Sequence, residues 1–143
     1  MAGKTTAYGG NILKLIFQAT AIANIADNAA TSPLTNLYIA LHTADPGVSG
    51  TQTTSEVAYT GYARVAVLRS SSGFTVTNNS VSPAANISFP ACTGGTATAT
   101  YFSIGTASSG TGSVLYTGAI SPSISIASGV TPQLTTSSTI TEA

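Results

Sequence analysis

The sequence predicts a mainly β protein: an antiparallel β-sandwich, jelly-roll-like, with one N-terminal α-helix. Three observations carry this. Apolar residues recur at helical spacing only near the N-terminus, and after Asn28 they alternate with period two. Short β-rich runs then follow one another closely, each bounded by Gly, Pro, Asn or Ser. A parallel sheet would need several crossover helices, and the pattern supplies one. No repeat of roughly 20 to 50 residues is visible, so a solenoid is excluded.

The helix is expected over Asn11 to Asp27. Gly9 and Gly10 precede Asn11 as an N-cap, and Ile12, Leu15, Ile16, Ala19, Ala23 and Ala26 fall on helical spacing. Leu13, Phe17, Ile22 and Ile25 widen the apolar face, which suits a helix packed on its own sheet, with part of it docked on another subunit as the alternative. Residues 1–10 then read as an N-terminal arm laid on a neighbouring subunit, and residues 11–143 as a single sandwich domain that includes helix 11–27. Leu37, Ile39 and Leu41 alternate with Tyr38, Ala40 and His42 as the first strand. Thr43 to Glu56 is rich in Pro, Gly, Ser and Thr and reads as a long loop, opened by an Asp45-Pro46-Gly47 turn. Tyr62 to Arg69 is the clearest strand, with Ala63, Val65 and Val67 on one face. Shorter strands are expected at Phe74 to Thr77, Ile87 to Phe89, Thr96 to Ile104, Val114 to Ala119, Ile120 to Ile126, Leu134 to Thr136 and Ser138 to Thr141.

Charge is the most informative quantity. Four Lys and Arg against four Asp and Glu give zero net charge, and 6% of the 143 residues are charged where about 25% is usual. That excludes the basic footprint of nucleic-acid binding and any acidic steering surface. From Ser70 to Thr141 no side chain is charged, so the 24 Thr and 19 Ser must supply the polar strand faces. Such neutral edges lack the charged residues that stop edge-to-edge pairing, which points to a subunit of a larger assembly. Leu, Ile, Val and Phe together number 31, a thin but adequate core for one domain. The apolar stretch Ile12 to Ile25 is interrupted by Lys14, Gln18 and Asn24, so neither a signal peptide nor a membrane span is expected.

The inventory for chemistry is small. His42 is the single histidine, Cys92 the single cysteine, Asp27 and Asp45 the aspartates, and Glu56 and Glu142 the glutamates. A Ser-His-Asp arrangement from His42, Asp45 and a serine lacks a nucleophile elbow, and Asp45 is better read as the turn opener. Cys92 with His42 as a thiol nucleophile is outweighed by an inert buried thiol. The scattered His, Cys and carboxylates cannot be grouped into a metal site by spacing, and a calcium held by Asp45 and loop carbonyls is set below the turn reading. Gly94-Gly95 and Gly110-Thr111-Gly112 are turns without the lysine of a phosphate loop. Thr96, Thr98 and Thr100 read as a polar sheet face. No catalytic, cofactor-binding or metal-ligating residue is assigned, and no enzyme activity is expected.

A resemblance adds to this. The segments NLYIALHTADPG (Asn36 to Gly47), YARVAV (Tyr62 to Val67), ISFP (Ile87 to Pro90), TYFSIGTASSG (Thr100 to Gly110) and SVLYTGAI (Ser113 to Ile120) occur in that order. The chain thereby resembles short virion proteins of tailed phages, often labelled tail fibre proteins, some of which look more like capsid decoration proteins. It departs from that pattern at Gly94-Gly95, which lacks a tryptophan, and at Gly105-Thr106, which replaces a more acidic turn. The resemblance implies a virion location and brings no catalytic residues.

Two functions follow as expectations. The first is a capsid decoration, or cement, protein on the capsid exterior, with the major capsid protein and copies of itself as partners and many weak contacts summed by avidity. The alternative is a tail fibre or baseplate component that binds a host surface glycan, with Tyr59, Tyr62, Tyr101 and Tyr116 as candidate contacts. Neither involves nucleic acid, membrane or cofactor.

Overall fold

A computed structural model describes residues 6–22 and 34–142. It contains helix α1 (Thr6–Gln18) and strands β1 (Asn36–His42), β2 (Val65–Leu68), β3 (Phe74–Thr77), β4 (Ser80–Pro83), β5 (Ile87–Ser88), β6 (Ala97–Gly105), β7 (Val114–Ile126), β8 (Gln133–Leu134) and β9 (Ile140–Thr141). Among the described residues the strands form sheets in the orders β2-β1-β6-β7, β3-β4-β9 and β5-β8. The pairs β1–β6, β6–β7, β3–β4, β4–β9 and β5–β8 are all antiparallel. The described residues are therefore mainly β and antiparallel, with one N-terminal helix. Its contacts group into two compact units, Met1–Asn36 with Val67–Asn86 and Thr135–Ala143, and Leu37–Ala66 with Ile87–Leu134.

In the first unit the helix begins five residues before Asn11, so Asn11 is not its N-cap and residues 6–10 of the expected arm are helical. The reason is close packing. A Cβ on Gly10 would lie 2.1 Å from the Asn78 carbonyl oxygen and one on Gly9 3.1 Å from Asn79 Cβ, so the glycines admit the β3–β4 turn rather than break the helix. The buried stripe is accordingly Gly10, Leu13 and Phe17, with Gly9 beside it, and not the Ile12, Leu15, Ile16 stripe read from spacing. Phe17 meets Phe74 edge-on at 4.8 Å between centroids. The helix ends at Gln18, where Ala19 turns to φ +53° and Thr20 N–H reaches Lys14 C=O. Residues 23–27, expected to continue it, lie outside the described residues, and so does Asp27. Arg69 donates to the carbonyls of Leu15 and Ile16, helix C-terminal acceptors that have no partner within the helix, and to that of Leu34. Strand β4 has no counterpart in the sequence reading. Ser80–Pro83 holds one strong β former and a proline, yet Asn78 at φ +55° turns it back onto β3. Pro83 is tolerated because β9 pairs only with Ser80 and Val81.

In the second unit β1 is buried on both faces rather than alternately, since Ala40 and His42 are as covered as Ile39 and Leu41. Residues 43–57 run alongside its C-terminal end, where Thr43 N–H bonds to Ser55 C=O and Val57 N–H to Leu41 C=O, and the Thr54 carbonyl meets the His42 ring. The strand expected from Tyr62 starts only at Val65, because Tyr62 and Arg64 turn to polar partners described below. Val114–Ala119 and Ile120–Ile126, expected as two strands, are one strand with a kink. Tyr101 opposes Ala119 while Ala99 opposes Ile124, so Ile120 to Ser123 bulge out of register. Gly118 sits where Phe102 crosses β7, its would-be Cβ 2.4 Å from the ring.

Candidate functional site

The second unit's polar residues build the site. Glu56 and Arg64 pair through two charge-assisted hydrogen bonds, Nε to Oε1 at 2.7 Å and Nη2 to Oε2 at 2.8 Å. The same guanidinium donates to the carbonyls of Ala107 (2.9 Å) and Gly110 (2.8 Å). Its bond to Glu56 raises the Arg64 pKa further. Tyr62 O–H donates to Glu56 Oε1 at 2.9 Å and accepts from Leu41 N–H, and burial pushes its pKa upward. Gln52, fully buried, links the same two segments: its Oε1 accepts from Ala107 N–H, its Nε2 donates to Tyr38 C=O, and its backbone N–H reaches Gly112 C=O. Gly105 and Gly112 make room for it, since a Cβ on either would fall 2.2 or 2.1 Å from the Gln52 amide. The long loop is thus fastened to the 106–112 turn.

This fastening sets up a cleft of about 440 Å³. Asp45, Gly47, Val48 and Gly50 form one wall and Val114 to Thr117 of β7 the other. Asp45 opens the expected turn, with Oδ1 accepting from Gly47 N–H at 3.0 Å, and Gly47 at φ +74° and Gly50 N–H on Gly47 C=O complete it. The turn leaves most of the carboxylate's acceptor capacity for a ligand. Val48 is fully exposed and Leu115 38% exposed, so the cleft combines an acceptor, the Thr117 hydroxyl, the half-buried Tyr116 ring and apolar rims.

His42 is brought to Ser103, not to Asp45 or Cys92. Its Nδ1 donates to Thr54 C=O at 2.8 Å, because a carbonyl only accepts, and its Nε2 then accepts from Ser103 Oγ at 2.7 Å. Burial holds the imidazole neutral by lowering its pKa. The pair has the geometry of a nucleophile and base, but both residues are 0% exposed, so no substrate reaches it. Cys92 is buried with its thiol on the Gly94 carbonyl. Among the described residues no three of His, Cys, Asp and Glu group as a metal centre, and no helix is long and apolar enough to cross a membrane.

Of the four tyrosines proposed for a glycan, Tyr59 is buried with its hydroxyl on Pro90 C=O and stacks edge-on against Tyr62, which holds the ion pair. Burial raises the Tyr59 pKa as well. Both serve packing. Tyr101 is half-buried on β6, and Tyr116 alone of the four lines the cleft. Sequence reasoning missed Gln52 and Ser103, which one Gln among threonines and one Ser among nineteen do not mark. Glu56 and Arg64 left a usable signal, as the two opposite charges between Asp45 and Arg69.

A family model described as podophage GP4 fiber I protein gp80 matches residues 11–141. Comparison with curated proteins finds no significant match.

Proposed function

Since the chain belongs to the podophage GP4 fiber I family, we propose that it is a non-enzymatic structural component of the virion tail fibre and that its cleft takes a host surface glycan. The match over residues 11–141 carries the first part, and it favours the tail over the capsid exterior expected from the sequence. The neutral, hydroxyl-rich surface that suggested a cement protein suits a fibre subunit equally, because both work through many weak contacts between copies. The sealed Ser103–His42 pair supports the absence of hydrolysis.

The cleft supports the second part. Sugars present hydroxyls on their edges and apolar C–H faces, and Asp45, Thr117, Tyr116 and Val48 offer acceptors, donors and apolar contact in one concavity. The test is the copy number per purified virion relative to the major capsid protein, by quantitative mass spectrometry. A few copies per particle is the expected result. A ratio near one, or a simple symmetric fraction of it, would return the protein to the capsid shell.

A further inference from the structure

We infer that the cleft selects glycans without acidic groups and prefers an amino sugar to its neutral counterpart. This rests on the glycan reading above and assigns the ligand's charge. The second unit holds four side chains that carry or can take charge near neutral pH: His42, Asp45, Glu56 and Arg64. His42 is fully buried with both ring nitrogens engaged. Arg64 and Glu56, with side chains 3% and 15% exposed, neutralise each other. Asp45 is left, exposed and on the cleft wall. The unit's single unbalanced charge is therefore negative and lies where the ligand would sit.

A carboxylate, phosphate or sulfate entering the cleft loses hydration and meets no cation of this unit, only another anion. A protonated amine instead gains a charge-assisted hydrogen bond. The turn provides a clean control. In Asp45→Asn the amide oxygen can still accept from Gly47 N–H, so the loop keeps its shape while the charge is removed.

The experiment is calorimetric titration of the full chain and of Asp45→Asn with a panel of oligosaccharides, including oligomers of N-acetylglucosamine, of glucosamine with its amines protonated, and of galacturonate. The amino oligomer should bind roughly tenfold more tightly than the neutral one, and the acidic oligomer at least roughly tenfold more weakly. In Asp45→Asn the amino preference should fall to about unity, and in the unmodified chain added salt should shrink it. Galacturonate binding as tightly as the neutral oligomer would overturn the charge assignment and leave the glycan reading standing, as would an amino preference that survives Asp45→Asn. Silence across the whole panel would overturn the glycan reading itself.

Discussion

Replacing Gly10 by Ala tests the packing of α1 against the β3–β4 turn, and its sign separates two arguments. On helix propensity alone, Gly to Ala inside a helix stabilises by about 1 kcal/mol. The structure reverses this. The new Cβ would lie 2.1 Å from the Asn78 carbonyl oxygen and 3.1 Å from its carbon, both backbone atoms that no side-chain rotation can move. Relief requires moving the helix off the turn by more than an ångström, which loosens Leu13 and Phe17, both fully buried. Overpacking of this kind costs about 1–3 kcal/mol and sometimes more, and loosening two large core side chains adds to it. The expected net loss is about 2 kcal/mol, or roughly 4–8 °C in Tm for a chain of this size. Gly9→Ala is the internal control, since its Cβ meets Asn79 Cβ at 3.1 Å and needs a shift of only a few tenths of an ångström; it should change stability by less than about 1 kcal/mol. Urea unfolding of the three proteins, followed by far-UV circular dichroism, measures both. Gly10→Ala more stable than the parent chain would refute the close approach and with it the account of why the helix runs through two glycines.

Four further outcomes are expected. Glu56→Gln should cost about 3 kcal/mol in urea unfolding, because it leaves the buried Arg64 guanidinium without its counter-charge, whereas Asp45→Asn should cost less than about 0.5 kcal/mol. Gln52→Ala should cost about 2–4 kcal/mol, since it strips the Ala107 N–H and Tyr38 C=O of their partner and opens a void. The folded state holds His42 neutral while the unfolded chain's imidazole titrates near 6.5, so the His42 contribution to stability should not change with pH above that value. It should fall below it by up to about 1.4 kcal/mol per pH unit until the lowered folded pKa is passed, and His42→Gln should flatten that slope. Cys92, 1% exposed, should react with a thiol reagent only at the rate of unfolding.

Much of the architecture was legible because it depends on local period and local charge. The switch from helical to alternating spacing after Asn28 identified a single helix followed by antiparallel strands, and Asp45-Pro46-Gly47 announced its turn through residues whose dihedral preferences are intrinsic. The near absence of charge, together with the ordered segments from Asn36 to Ile120, led to a phage virion protein, in agreement with the family match.

What the tertiary structure decided concerns contacts between residues far apart in the chain, for which a single sequence holds no record. Gly9 and Gly10 read as residues ahead of the helix until Asn78 and Asn79, some seventy positions later, are seen against them. Tyr62 and Arg64 leave their strand because Glu56, Ala107 and Gly110 offer better hydrogen bonds than a sheet edge does. His42 finds Ser103, 61 residues away, and is sealed rather than made reactive. The charge of the candidate site has the same origin. Composition shows that the protein is neutral, but only burial, by cancelling Glu56 against Arg64, leaves Asp45 as the one charge the second unit presents to a ligand.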